Sequence, residues 1–577
     1  MRLLVMSMMA LALASGYTIR MRRPVTPIDK FLMMETLRTP SKRFFASDLI
    51  LNDMIPLSYD EMAFLDIRRH HLLCFSLWQF ALFFCCQQIF PVFYNFSPEL
   101  DCADANFTFS KPRCKLSKVE QCDELTRNCS KIVAGTAPFH SMVQDFEMFC
   151  GEKAYDATWV ATIQFLGVLV GTVVYGHLGD HFGRRPVALF GLAIGIIFGV
   201  SSGLAPSWPI FASFRFIVGS SIACVLVVFY TYISEMILSE QRVFLRSFFN
   251  WGYARLVFTL VCFLCGYWRS ASIATALLAA PVLPVLYFLP ESPTWYRNRG
   301  KIQEAQKAEE WIRKLSGLEV QLEEDKRSTP ITTEKTQVYT VRDLFTSWPI
   351  TYKTLVVGCL WFSTSLSAFG SDLNSGNLAG DFYLTQFVSG AVTALAKIFV
   401  FVLDEKWPSF DRRRLHQLPQ ALVVLCYASI MVLMMLPESD CSNESSRDLA
   451  IVIVNIVGVS LIEVTWDACY LVAVECFPTR IRTIGIGTCS LLARIGALVA
   501  PQMAYLSSVY RPAPYAVVCG IGLVSLVVSL FFLPDTKGVD LNDVDKPAVY
   551  RSSTSSQSVC KDRKLRLETV SDIERNA

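Results

Sequence analysis

Twelve stretches of this chain are long and apolar enough to cross a bilayer, and they constrain what the rest of it can do. A crossing helix needs about 20 mostly apolar residues. Six such stretches run at roughly 72–94, 157–178, 187–204, 209–232, 247–267 and 270–289, and six more at roughly 352–371, 381–403, 418–436, 449–473, 483–507 and 514–534. Composition agrees, with 53% apolar and only 18% charged residues, where a soluble domain is about 25% charged. The expected fold is an all-α membrane protein with twelve transmembrane helices in two six-helix halves, 72–290 and 352–534. The polar stretch 291–351 between them reads as a cytoplasmic linker, and the helical periodicity of Lys301–Leu315 places a surface helix in it. Two related halves around a charged linker suit a secondary transporter, with its substrate site near mid-membrane between the halves.

Basic residues orient the spans. Arg184 and Arg185, Arg242 and Arg246, the linker, Arg412–Arg414, Arg480 with Arg482, and the tail all fall on one side, which is therefore cytoplasmic. The opposite side carries the long loop 95–156. It holds Cys102, Cys114, Cys122, Cys129 and Cys150, and the glycosylation sequons of Asn95, Asn106 and Asn128. A fourth sequon, at Asn443, falls in another outer loop. Clustered cysteines and sequons indicate an oxidised, glycosylated ectodomain. Five cysteines leave one over, and spacing does not assign the pairs. The region 1–71 is expected in the cytoplasm, although its apolar run 3–14 resembles a secretory signal. A cleaved signal would put a Lys/Arg-rich segment outside, against the positive-inside rule. The polar, Ser-rich tail 535–577 is expected to be disordered and cytoplasmic.

One cytoplasmic loop is short and dense in charge: Gly176-His-Leu-Gly-Asp180-His181-Phe-Gly183-Arg184-Arg185. It joins two spans so tightly that they must form an antiparallel pair, and its glycines permit the reversal and close helix approach. Asp180, ending one helix, can pair with a base or cap a neighbouring helix. A polar latch of this kind at a membrane surface suits a conformational gate.

This loop resembles the signature loop of the major facilitator superfamily. His181 departs from the usual Arg or Lys; it weakens the latch, makes it pH-dependent, or, as the first expectation, is simply tolerated at a solvated turn. Pro290-Glu-Ser-Pro-Thr-Trp295, Glu475-Cys-Phe-Pro-Thr-Arg-Ile-Arg482 and Leu533-Pro-Asp-Thr-Lys-Gly538, together with the Cys-rich outer loop, are similar to the organic ion transporters of that superfamily. These include anion, cation and carnitine transporters, and the resemblance covers about residues 70–540. It implies that Asp180, Arg184, Arg185, Glu291, Glu475 and Arg480 form cytoplasmic gating bridges, with Arg215, in Arg215-Phe-Ile-Val-Gly219, linked to the gate loop. Three departures stand against an intact cycle: Thr294 where relatives carry Arg, Thr393 where they carry an acid, and a second-half gate, Leu403–Arg414, without the glycines.

Charged side chains inside a membrane are costly and usually face a cavity or a partner. Lys397 in the eighth span and Arg494 in the eleventh occupy places where, by the resemblance, organic anion transporters carry Lys and Arg. An ammonium and a guanidinium in a low-dielectric cavity attract a carboxylate or sulfate. Alternatively both are neutralised internally, since Glu463 and Asp467 lie one turn apart on the tenth span and either could pair with them. Arg255 in the fifth span and Arg215 in the fourth are also candidates, and both are expected to be structurally paired. Trp361, Phe369 and Trp466 lie near the places where the family sets cavity aromatics; each either clasps an aromatic substrate or packs against lipid and helix neighbours, with packing the first expectation.

No P-loop, zinc-spaced Cys/His cluster or nucleophile elbow occurs, and the net charge of +3 sits in loops. The expectation is therefore a multi-pass plasma-membrane transporter of a small organic ion. It is not an enzyme, has no cofactor, metal or nucleic-acid partner, and has an undetermined oligomeric state. An anion is the first choice of cargo. The rivals are an organic cation or carnitine-like zwitterion, and a transport-dead receptor or scaffold.

Overall fold

A computed structural model of the chain describes residues 68–104, 107–110, 116–316, 341–378, 380–406, 411–436, 444–478 and 481–534. The apolar run 3–14, Asn106, Cys114, Asn443, Arg480 and the tail 535–577 lie outside the described residues. Twelve described helices are long and apolar enough to cross a membrane. In the first half they are Arg69–Tyr94, Glu152–Phe182, Arg184–Gly203, Trp208–Met236, Phe244–Cys265 and Trp268–Phe288. In the second half they are Trp348–Asn377, Phe382–Leu403, Arg412–Met435, Ser446–Cys476, Arg482–Val509 and Ala513–Phe532. The linker contributes the helix Ile302–Ser316, with acid in its first turn and bases in its last, as the helix dipole favours.

Within the first half the second and fourth spans pack along their whole contact because small residues meet backbone. A Cβ on Gly167 would overlap the carbonyl of Phe216, and one on Gly219 the carbonyl of Gln164. The second span ends at Gly183, whose φ of 110° lies in the region that only glycine enters freely. There the chain reverses into the third span.

The halves meet along two seams, the second span against the eleventh and the fifth against the eighth. On the face carrying the disulfide-linked loop, here the outer face, the seam is closed. The rings of Tyr155 and Tyr505 lie 5.1 Å apart, Gln502 Nε2 donates to Thr162 Oγ1 at 3.1 Å, and Phe93 packs edge-on to Phe382 at 5.2 Å.

The outer loop is a small folded unit. Strand Leu100–Cys102 pairs antiparallel with Ile132–Ala134. The helix Lys118–Asn128 starts with a reciprocal capping box between Ser117 and Glu120. Disulfides Cys102–Cys129 and Cys122–Cys150 tie these pieces together, which assigns four of the five candidate cysteines. The unit is anchored to the first half. His140 N donates to Gly266 O at 2.9 Å, and Asp145 Oδ2 accepts from Tyr267 Oη, Trp268 Nε1 and Arg269 Nε at 2.9, 3.0 and 3.1 Å. Lighter contacts reach the second half: Lys118 Nζ donates to Asn377 Oδ1 at 3.0 Å, and Tyr383 Oη to Pro138 O at 3.1 Å. Of the described sequon residues, Asn128 is exposed. Asn95 is half-buried, and its side-chain carbonyl faces an outer cavity with no hydrogen-bond partner.

Candidate functional site

Between the halves lies a cavity of about 240 Å³, walled by the first, fourth and fifth spans on one side and the seventh, eighth, tenth and eleventh on the other. Local breaks in two helices shape it. The fourth span contains a π-helical turn at Val225–Phe229, next to the lining residues Leu226, Val227 and Tyr230; such bulges recur at functional sites. The fifth span is interrupted at Asn250, whose Oδ1 caps the next helix by accepting from Gly252 N at 2.9 Å. This break leaves Arg246, on the short helix before it, lining the cavity.

Lys397 and Arg494 both line the cavity, but in different electrostatic settings. Lys397 Nζ lies 2.9 Å from Glu463 Oε2 and 3.1 Å from Asp467 Oδ1. The internal neutralisation that the sequence left open therefore holds for Lys397. The same Asp467 oxygen receives Arg246 from the first half at 3.2 Å, and the Arg246 guanidinium stacks over the Tyr470 ring at 4.2 Å. Arg255 pairs with Asp372 at 2.6 Å and donates to Gln386 Oε1 at 2.8 Å, a buried bridge across the halves. Arg494 has no acid within ion-pair distance among the described residues, and its buried Nε lacks a hydrogen-bond partner. Four cations thus meet three acids, and Arg494 is the cation left over.

The aromatic candidates separate. Phe369 and Trp466 line the cavity, and Phe369 packs edge-on against Phe165 at 5.3 Å. Trp361 does not line it. It is buried behind, its Nε1 donating to Cys469 O at 3.2 Å and its ring 4.4 Å from that of Tyr470, so it supports the lining from the protein side. Tyr470, Arg246 and Asp372 were not singled out as cavity groups in the sequence. Arg246 reads there as one more loop cation, but Asp372, an acid inside an apolar run, carried the intramembrane-charge signal.

At the inner face, among the described residues expected to form the gate, these ion pairs fall within one half. Asp180 Oδ1 meets Arg184 at 2.5 Å, and Arg184 Nε lies 3.7 Å from Glu235 at the end of the fourth span. Arg185 N donates to both carboxylate oxygens of Glu291 at 3.1 Å, and its side chain binds the carbonyls of Leu286 and Tyr287 at the end of the sixth span. Burial raises the pKa of Glu291, against the lowering effect of backbone donors at Ser292, Arg185 and Arg184. His181 and Thr294 are exposed. His181 contributes its backbone carbonyl, which accepts from Arg299 at 3.1 Å. In the second half Arg412 reaches Glu475, and Arg413 binds the carbonyl of Leu530 at the end of the twelfth span. Arg215 does not reach the gate loop. It lies two turns from the outer end of its span, fully buried, donating to Gln164 Oε1 at 2.9 Å and Gln87 Oε1 at 2.7 Å with aromatic rings around it. Desolvation makes such amide partners necessary for a buried guanidinium.

The description "Sugar (and other) transporter" matches residues 121–547. A protein of Caenorhabditis elegans described as uncharacterised is 65% identical over 86% of this chain and 98% of its own length. The organic cation transporter-like protein of Drosophila melanogaster is 28% identical, covering 71% of this chain and 73% of that protein. Solute carrier family 22 member 7 of Rattus norvegicus is 29% identical over 73% of this chain and 76% of its own. Among solved structures, the inward-open xylose transporter XylE from E. coli aligns with a TM-score of 0.55 at 14% identity, covering 82% of this chain and 98% of that one.

Proposed function

Since the chain belongs to the sugar (and other) transporter family and has the major facilitator fold, we propose that it carries small organic anions across the plasma membrane by alternating access. The observation that carries the choice of charge is Arg494: a guanidinium on the central cavity with no acid within ion-pair distance among the described residues. An unpaired cation in a low-dielectric cavity is stabilised by an incoming carboxylate or sulfate and repels a cation. The acids of the cavity do not offset this, because Glu463, Asp467 and Asp372 already hold Lys397, Arg246 and Arg255. An organic cation would have to displace those bases. Closed outer contacts, with the Asp180–Arg184 and Arg412–Glu475 pairs each inside one half, support a cycle in which the halves rock about the cavity. The second-half gate keeps its Arg–Glu pair despite the missing glycines, which speaks for transport over a transport-dead scaffold.

The test is uptake of labelled organic anions, cations and carnitine into cells expressing the chain, beside Arg494→Ala. Anion uptake that the substitution abolishes supports the reading. Cation uptake that survives it overturns the charge assignment, and no uptake with surface expression confirmed favours the scaffold.

A further inference from the structure

Among the described residues, Asp467 is the one acid in the cavity whose single oxygen is shared by bases from both halves, Lys397 at 3.1 Å and Arg246 at 3.2 Å. Glu463, one turn away, meets Lys397 alone among the described pairs, at 2.9 Å. Without Asp467, Lys397 would keep its partner and Arg246 would lose its own. Arg246 is already placed for a ligand: its side chain is 33% exposed, it lines the cavity, and its guanidinium carbon sits 4.2 Å from the Tyr470 ring centre. Arg494, from the eleventh span, lines the same cavity as Arg246 and Tyr470. The cavity is thus built with two cationic poles, and Asp467 occupies one of them as a carboxylate that belongs to the protein.

Resting on the reading of Arg494 as the anion pole, we propose that Asp467 sets the charge of the cargo at minus one: it is a specificity-determining residue that admits organic monoanions and rejects dianions. With Asp467 ionised the cavity carries a single uncompensated positive charge, which a monoanion neutralises. A dianion would leave one negative charge unpaired in a low-dielectric site, beside a carboxylate that repels it. The specificity is built by a repulsive element as well as an attractive one. The same pair links Asp467 of the tenth span to Arg246 of the fifth, so it also bridges the two halves.

The experiment measures uptake of two labelled probes of like size, butyrate and succinate, at a pH where both are fully ionised, in wild type, Asp467→Asn, Asp467→Glu and Arg494→Ala. Wild type is expected to take up butyrate over succinate. Asp467→Asn should raise the succinate-to-butyrate ratio of kcat/KM about tenfold or more, the low end of what close charge pairs contribute to recognition. Asp467→Glu should restore the wild-type ratio. A purely structural role would lower both rates together and leave the ratio unmoved. An unchanged ratio in Asp467→Asn, or wild-type uptake that does not discriminate between the probes, overturns the inference. If butyrate uptake persists in Arg494→Ala, the anion reading itself fails, whatever Asp467 does.

Discussion

Arg412 Nε lies 2.9 Å from Glu475 Oε1 in the second half, in the position that Arg184 and Glu235 hold in the first at 3.7 Å. In both halves the arginine follows an even-numbered span and the acid ends the span two further on. The neighbours repeat as well: Arg185 binds carbonyls at the end of the sixth span and Arg413 one at the end of the twelfth. The second-half loop lacks the glycines of the first, yet it reproduces this pattern of charge contacts.

Glu475→Gln and Glu235→Gln should therefore impair uptake to a similar degree, several-fold each. The charge-reversed double variant Arg412→Glu/Glu475→Arg should recover part of the loss. Initial-rate uptake at matched surface expression measures this. A Glu475→Gln protein with wild-type rates would show that the second-half pair does not gate.

The Arg255–Asp372 bridge joins the halves with both side chains nearly inaccessible, 2% and 8% exposed. Removing one partner leaves a buried charge, at a cost of about 3–5 kcal/mol. Asp372→Asn should lower the melting temperature of the purified protein, whereas Arg255→Met with Asp372→Leu should recover much of it. Equal melting of the single and double variants would show that the bridge is not stabilising.

Asp145 fastens the outer loop to the turn between the fifth and sixth spans. Burial alone would raise its pKa, but hydrogen bonds from Tyr267, Trp268 and Arg269 and the charge of Arg269 outweigh that and hold it below the ordinary carboxylate value. A group with a depressed folded pKa contributes stability above its unfolded value, about 3.9 for Asp, and loses it as pH falls through the folded value. Amide exchange in the loop should stay slow through mildly acidic pH and quicken only below the usual carboxylate range. Asp145→Asn should show fast exchange at neutral pH. Loosening of the wild type near pH 6 would contradict the assignment.

Asn128 is exposed at the end of the outer-loop helix, and Asn95 is packed at the mouth of an outer cavity. Asn128→Gln should reduce the apparent mass on a gel and Asn95→Gln should not. Glycopeptide mapping that finds a glycan on Asn95 would refute the packing argument.

The sequence by itself determined the twelve spans, their pairing into halves and several of the charged groups inside the membrane, Lys397, Glu463, Asp467 and Arg494 among them. A bilayer imposes those through length and apolarity, both of which are local properties. The gate turn was legible because Gly183 must take a positive φ and the arginines beside it must face water. Only the tertiary structure decided which charges cancel. Lys397 and Arg494 look alike in sequence, yet two carboxylates from the tenth span reach one and, among the described residues, none reaches the other. Arg246, read from sequence as a loop cation, becomes a cavity residue because the chain breaks at Asn250. Arg215 is drawn to Gln87 and Gln164 on the outer side, and Trp361 turns behind the lining. Coulomb interaction falls with distance and depends on the surrounding medium. The charge a cavity offers to its cargo is therefore set by three-dimensional separations that no single span encodes.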